Sequence, residues 1–197
     1  MDDVDWNPGF TKVAQFRKKR RSGAGKDEAK APLTSDERRQ RTFQRAAKLL
    51  SAKSRSVAEL RELLGQGQGS SKAHIEEVLQ RLTEYGYLND ERFAFGYASA
   101  KVRQRPIGRQ RLKRDLAQKK VNKETAEEAL DLVFAETPET ELIDRAIEKR
   151  IRLRGRPGNR AAAKSLFDHL LRQGFSFELV AEKVRAASRA ALDDEVE

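Results

Sequence analysis

Pairs of leucines four residues apart recur at intervals of a little over fifty residues: Leu60 with Leu64, Leu112 with Leu116, Leu166 with Leu170. Ten or eleven residues after the second leucine of each pair comes another apolar cluster: Ile75 with Val78, then Ala126, Ala129 and Leu130, then Val180 with Val184. Around the first cluster, Ile75, Val78, Leu79 and Leu82 keep the three-and-four spacing that lines one face of an α-helix. A recurrence of this length is one supersecondary unit repeated, and a thin unit buries its apolar face only by stacking on its neighbours. The expected fold is all-α: three tandem three-helix repeats stacked into an elongated, curved body, preceded by a disordered basic tail.

Boundaries follow from breakers and caps. Residues 1–33 mix Gly, Pro and Asp with the run Arg17-Lys18-Lys19-Arg20-Arg21 and carry no helical stripe. They read as a basic tail, either solvated coil or a phosphate-contacting arm. Thr34-Ser35-Asp36-Glu37 has the form of a capping box, and Ser56-Val57-Ala58-Glu59 repeats it. The expected repeats span 34–88, 89–136 and 137–190, with an acidic tail over 191–197. Asn89, Asn122, Thr137 and Ser176 stand where N-caps are needed. The remaining helices are expected over about 91–104, with Phe93 and Tyr97 inward, and about 137–153, with Leu142, Ile143, Ala146, Ile147 and Ile151 inward.

Composition bears mainly on function. The 197 residues carry a net charge of +10, with 37% charged and 38% hydrophobic side chains. A basic surface gains free energy by releasing counterions from phosphates, so a polyanionic partner is expected. The charge is also ordered along the chain. Residues 101–120 hold nine cations against Asp115 alone, and 145–172 hold nine against Glu148 and Asp168. Residues 121–144 reverse the sign, with Lys123 facing eight carboxylates. Both basic blocks cover the first two helices of their units, so stacking brings them onto related faces. Exposed pairing with the acidic stretch is the competing account, but local carboxylates are too few to neutralise the blocks.

Chemistry-bearing patterns are missing. His74 and His169 are the only histidines, they lie in different repeats, and cysteine is absent. No Gly-x-Ser-x-Gly elbow, Walker loop or dinucleotide fingerprint occurs, and adjacent carboxylates such as Glu127-Glu128 point to different parts of a helix surface. No enzyme, cofactor or metal is expected. The acidic first residues do not resemble a secretory signal and no apolar run is long enough to span a bilayer, so a cytoplasmic protein without membrane contact is expected. Without a heptad seam, a monomer is expected.

Residues 82–94, Leu-Thr-Glu-Tyr-Gly-Tyr-Leu-Asn-Asp-Glu-Arg-Phe-Ala, resemble the most recognisable stretch of the RecX family of bacterial recombination regulators. There a Gly-Tyr-Leu-Asp-Asp-x-Arg-Phe-Ala pattern follows a helix of the first repeat. Each position has a physical reason: Gly86 ends a helix, Tyr87 and Leu88 fold back on the core, Asn89 caps, Asp90 and Glu91 suit a helix N-terminus, and Phe93 packs. Similarity runs from about Arg41 to about Ala187 and takes in the Leu171-Arg172-Gln173-Gly174-Phe175-Ser176 turn. Departures are Asn89 for the family's frequent Asp, a longer linker around Gln66 to Ser70, and Lys120 where a glycine usually ends the helix, at some cost in backbone strain.

The resemblance implies a negative modulator of the RecA recombinase that lies in the groove of the RecA–DNA filament. It would impede ATP turnover, strand exchange and the coprotease role. The partners implied are the RecA filament and single-stranded DNA, within the filament or weakly on its own. Carried onto this chain, the contact residues would be Lys101, Arg103, Arg105, Arg109, Arg111, Lys113 and Arg114, with Arg150, Arg152, Arg154, Arg156 and Arg160. Tyr87, Phe93, Leu112 and Leu166 read as core. The alternative is a direct DNA- or RNA-binding helical protein such as a transcriptional repressor, which needs a recognition helix carrying base-reading side chains.

Overall fold

A computed structural model describes residues 34–67 and 71–193, with side chains to residue 189. The expected basic tail and part of the Gln66–Ser70 linker lie outside the described residues. Nine helices and no strand occur among those described: α1 Ser35–Ala52, α2 Val57–Gly65, α3 Lys72–Glu84, α4 Asp90–Gln104, α5 Arg109–Gln118, α6 Lys123–Glu136, α7 Glu139–Arg154, α8 Arg160–Gln173 and α9 Phe177–Asp193. The last helix therefore continues through residues 191–193, read above as the start of an acidic tail. Two compact units result. One takes the described residues to Arg55 with Glu59–Leu88; the other takes Ser56–Ala58 with the described residues from Asn89 on.

In the first unit α1 packs on α3, and the core is Ala46, Leu50, Leu60, Leu64, Ile75, Val78, Leu79, Leu82 and Leu88. The Thr34–Glu37 capping box forms in both directions: the Thr34 side chain accepts from the Glu37 N–H, and the Glu37 carboxylate accepts from the Thr34 N–H. The bonds its carboxylate accepts from the Thr34 N–H and then from the Thr34 hydroxyl hold the Glu37 carboxyl below its usual range. Arg45 donates to the Leu63 carbonyl at 2.8 Å and so satisfies an orphan acceptor at the end of α2.

The second unit has its own continuous core. Leu112, Leu116, Leu130, Leu142, Ile143, Leu170 and Val180 are fully buried in it, and Leu166 is 3% exposed. Here α4 and α5 pack on α6, while α8 and α9 pack together with α7 against both. Phe93 and Tyr97 stack on each other at 6.1 Å and are half-buried, as Tyr87 is, so these aromatics edge the apolar interior and do not fill it. Asn89, Asn122 and Ser176 cap as expected, accepting from the N–H groups of Arg92, Glu124 and Leu179. Thr137 does not. It is the C-cap of α6, and Pro138 takes the position before α7, where its fixed φ suits the helix start.

One C-terminal cap recurs. After Leu82, Leu116 and Leu170, the N–H five residues on returns to the leucine carbonyl, and the intervening residue adopts positive φ: Gly86 (+71°), Lys120 (+58°) and Gly174 (+93°). Lys120 is the only described non-glycine residue there. Its side chain carries the left-handed strain expected where a glycine is usual, of order 1 kcal/mol.

At Gly174 the backbone does a second job. Gly108, just before α5, donates to the Gln173 carbonyl at 3.0 Å, and Gln110 donates to the Gly174 carbonyl at 3.0 Å. A Cβ on Gly108 would overlap the backbone of Gly174 and Phe175, and one on Gly174 would overlap Arg111. Two glycines thus let the start of α5 cross the end of α8 at backbone contact, which fixes the basic helix α5 against the last three helices.

Candidate polyanion-binding surface

The twelve cations singled out from the sequence meet different fates, decided by where carboxylates fall. Arg109, in the first turn of α5, faces α6. Its guanidinium donates to Glu127 at 3.0 Å and to Asp131 at 2.6 Å, and lies 6.0 Å from the Phe134 ring centre. Burial disfavours its charge, but the two carboxylates outweigh that and raise its pKa. One turn along α5, Lys113 pairs with the other oxygen of Glu127. Hydrogen bonds from Lys113, then from Arg109, hold the Glu127 carboxyl below its usual range. The Arg109 N–H is also taken, by Glu139 at 2.9 Å. Arg109 and Lys113 are thus turned onto the acidic helix.

Arg111 is half-buried at the glycine crossing and donates to the Arg172 carbonyl at 3.2 Å. Lys101 lies 5.4 Å from the centre of the Tyr97 ring, a cation–π contact that leaves its charge in place. Arg103 and Arg105 are exposed at the end of α4, and Arg114 is exposed on α5. None of those three has a carboxylate partner among the described residues.

The second block is different. Arg150, Arg152, Arg154 and Arg160 also lack a carboxylate partner among the described residues, and Lys164 takes up Asp168 at 2.8 Å. Three of the arginines converge. Arg150 and Arg154, on the last two turns of α7, and Arg156, just past it, line a cleft of about 220 Å³ against α8. Ile151 and Leu166 supply apolar wall, and no carboxylate lines it. Arg150 is held by a 3.0 Å hydrogen bond to Ser165, a residue that no local pattern singles out because the partner lies on the next helix. Behind this group His169 is half-buried, and its pKa is lowered by burial and then by Arg150 and Arg172. Arg152 and Arg160 lie outside the cleft lining and are exposed.

Among the described residues, no group of three or more His, Asp or Glu side chains is placed to hold a metal ion. No described helix is long and apolar enough to cross a membrane. What the surface offers is fixed positive charge. An arginine fork presents two parallel donors to a phosphate or carboxylate, and a half-buried one is screened less than one in open water.

Comparison with known proteins places this geometry in a lineage. A family model described as the second three-helix domain of RecX matches residues 89–130, which run from the Asn89 cap through most of α6. The regulatory protein RecX of Bacillus subtilis (strain 168) is 31% identical over 138 residues, 70% of this chain and 52% of that protein. The regulatory protein RecX of Deinococcus radiodurans is 28% identical over 188 residues, 92% of this chain and 88% of the relative. The chain spans about half the length of the Bacillus relatives it matches. A crystal structure of RecX from Lactobacillus salivarius superposes with a TM-score of 0.69 at 20% identity, over 79% of this chain and 99% of that one, which shows a shared fold.

Proposed function

The chain belongs to the RecX family of regulatory proteins, and from that membership we propose that it docks on the RecA–DNA nucleoprotein filament and negatively modulates RecA. The activities restrained would be ATP turnover, strand exchange and the coprotease role. It acts by occupancy, as a cytoplasmic monomer with no catalysis or cofactor of its own, and its cations set the orientation on an anionic groove. The observation that supports this reading is the exposed positive charge of the second basic block, where Arg150, Arg152, Arg154 and Arg160 have no carboxylate partner among the described residues.

The alternative, a sequence-reading repressor, requires a helix that enters the major groove of DNA. In the 89–130 domain the third helix would serve, but α6 carries Glu124, Glu127, Glu128, Asp131 and Glu136 against Lys123. Phosphates flanking the groove would repel it. Single-stranded DNA held within a filament, contacted through its backbone, makes no such demand.

The test is the ATPase activity of RecA on single-stranded DNA with increasing amounts of this protein, while binding to bare DNA is followed over a salt series. Substoichiometric loss of ATPase, with weak and steeply salt-dependent binding to bare DNA, is the expected result. Unchanged ATPase with tight, sequence-dependent binding would overturn it in favour of the repressor.

A further inference from the structure

We propose that a row of side chains along α8, His169 and Arg172, flanked by Arg150 of α7 and Arg111 of α5, grips the phosphate backbone of single-stranded nucleic acid and takes up a proton at His169 as it does so. The assignment deepens the filament-docking reading and rests on it for its biological setting, but its physical basis is local.

Three helices deliver the row. Ser165, His169 and Arg172 stand four and three residues apart on α8 and share one face. Arg150 reaches that face from α7 through its 3.0 Å hydrogen bond to Ser165, and Arg111 reaches it from α5 through its 3.2 Å bond to the Arg172 carbonyl. Both bonds orient a guanidinium before any ligand arrives, so less side-chain freedom is lost on binding. The opposite side of α8 is occupied, since Phe167 meets Phe177 of α9 there edge-on at 5.3 Å. From Ser165 to Arg172 the row runs about 10 Å along the helix, so a strand laid on it meets more than one cation.

Charge selects the partner. Arg111, Arg150 and Arg172 have no carboxylate partner among the described residues, and the carboxylate of α8, Asp168, is held by Lys164 at 2.8 Å. On α5, Asp115 lies one turn beyond Arg111 and makes no ion pair with it. His169 is half-buried among these cations. Burial first, then Arg150 and Arg172, hold its pKa below the ordinary 6.5, so the imidazole is mainly neutral at pH 7. A phosphate over the row offsets the two guanidiniums and favours the imidazolium, which then becomes a further donor to the anion. The bound protein thus keeps that proton to higher pH than the free protein does, and affinity rises as pH falls through the bound value. Phosphodiesters suit the row better than carboxylates, because their tetrahedral oxygens can be shared among forks set on different helices. The row holds no aromatic ring other than the imidazole, so it would follow the backbone and read no sequence.

The experiment is fluorescence anisotropy of a labelled oligothymidylate with the full chain, from about pH 8 to about pH 5.5 at fixed salt and then over a salt series. Thermal melts establish that each variant folds. One phosphate contact accounts for about 0.7 in the slope of log affinity against log salt for single strands, about fivefold in affinity near 0.1 M salt. Wild-type affinity should rise on acidification by up to that factor. His169→Gln should abolish the rise, whereas His74→Gln, in the first unit, should keep it. Arg150→Gln with Arg172→Gln should lose at least one such contact, clearly more than Arg185→Gln with Arg189→Gln, which removes equal charge from exposed positions of α9. Equal losses from the two double variants, or a pH profile that survives His169→Gln, would overturn the row. If the Arg150 and Arg172 double variant binds the oligonucleotide normally but no longer inhibits RecA, the row grips an acidic protein surface and the phosphate assignment falls while the filament reading stands. If wild-type protein shows the pH-linked binding yet leaves RecA untouched, the filament reading falls and the row stands.

Discussion

Replacing Gly174 by alanine tests whether the crossing of α5 and α8 is a structural keystone of the second unit. Two costs are separable. The first is left-handed strain at φ +93°, about 1 kcal/mol for a residue with a Cβ. The second is the overlap with Arg111, relieved only if the start of α5 moves away from the end of α8. That movement stretches the bonds from Gly108 to Gln173 and from Gln110 to Gly174, both now 3.0 Å, each contributing about 1 kcal/mol net. The total is about 3 kcal/mol, which for a unit of this size lowers Tm by roughly 6–12 °C. Lys120→Gly calibrates the first cost within the same unit, because Lys120 occupies the same cap with a side chain already present. Relief of its strain, less the entropy glycine adds to the unfolded chain, should give a gain of about 0.5 kcal/mol. Calorimetry of both variants decides the matter. If Gly174→Ala costs no more than the strain alone, the crossing contributes nothing and the argument from the two glycines is wrong.

Arg109→Ala should lower stability by about 1–2 kcal/mol, through lost ion pairs with Glu127 and the more exposed Asp131 and lost contact with Phe134, while Arg103→Ala stays within about 0.5 kcal/mol; urea denaturation compares them. A variant at Arg109 that bound nucleic acid less well at unchanged stability would return that residue to the binding surface. The pH dependence has a definite sign. Because the Glu127 carboxyl is lowered from its ordinary value of 4.5, the unfolded chain protonates first as pH falls. The stabilisation is complete above about 4.5 and is lost as pH drops through the folded value, so Glu127→Gln should flatten the acid side of the urea-midpoint profile. A profile unchanged by the substitution would show that the Arg109–Glu127–Lys113 group contributes no stability.

The fold was legible because its signals are local. Leucines four apart find one helix face, and asparagines before a helix satisfy its first N–H groups whatever surrounds them. Even the strain at Lys120 could be anticipated, since a cap that needs positive φ needs it regardless of tertiary context. Thr137 misled for a reason of the same kind: a hydroxyl beside Pro138 matches an N-cap, yet α6 runs to Glu136 and takes Thr137 as its C-cap. The backbone crossing was invisible, because Gly108 and Gly174 meet only when α5 and α8 are packed.

Charge was legible as quantity but not as availability. Both basic blocks carry the same number of cations, and nothing along the chain distinguishes Arg109 from Arg154. The difference arises in three dimensions, because α5 packs against the acidic α6 while the end of α7 meets α8, whose nearby Asp168 is taken by Lys164. The alternating signs along residues 101–172 therefore do two jobs. The acidic stretch draws part of the first block inward and gives α5 a polar lock onto α6. It also leaves Arg150, Arg152, Arg154 and Arg160 with no carboxylate partner among the described residues. A partner steered by net charge would respond to both blocks at a distance, but at contact it would have to displace a carboxylate at Arg109 and Lys113 and none at Arg150, Arg152, Arg154 or Arg160.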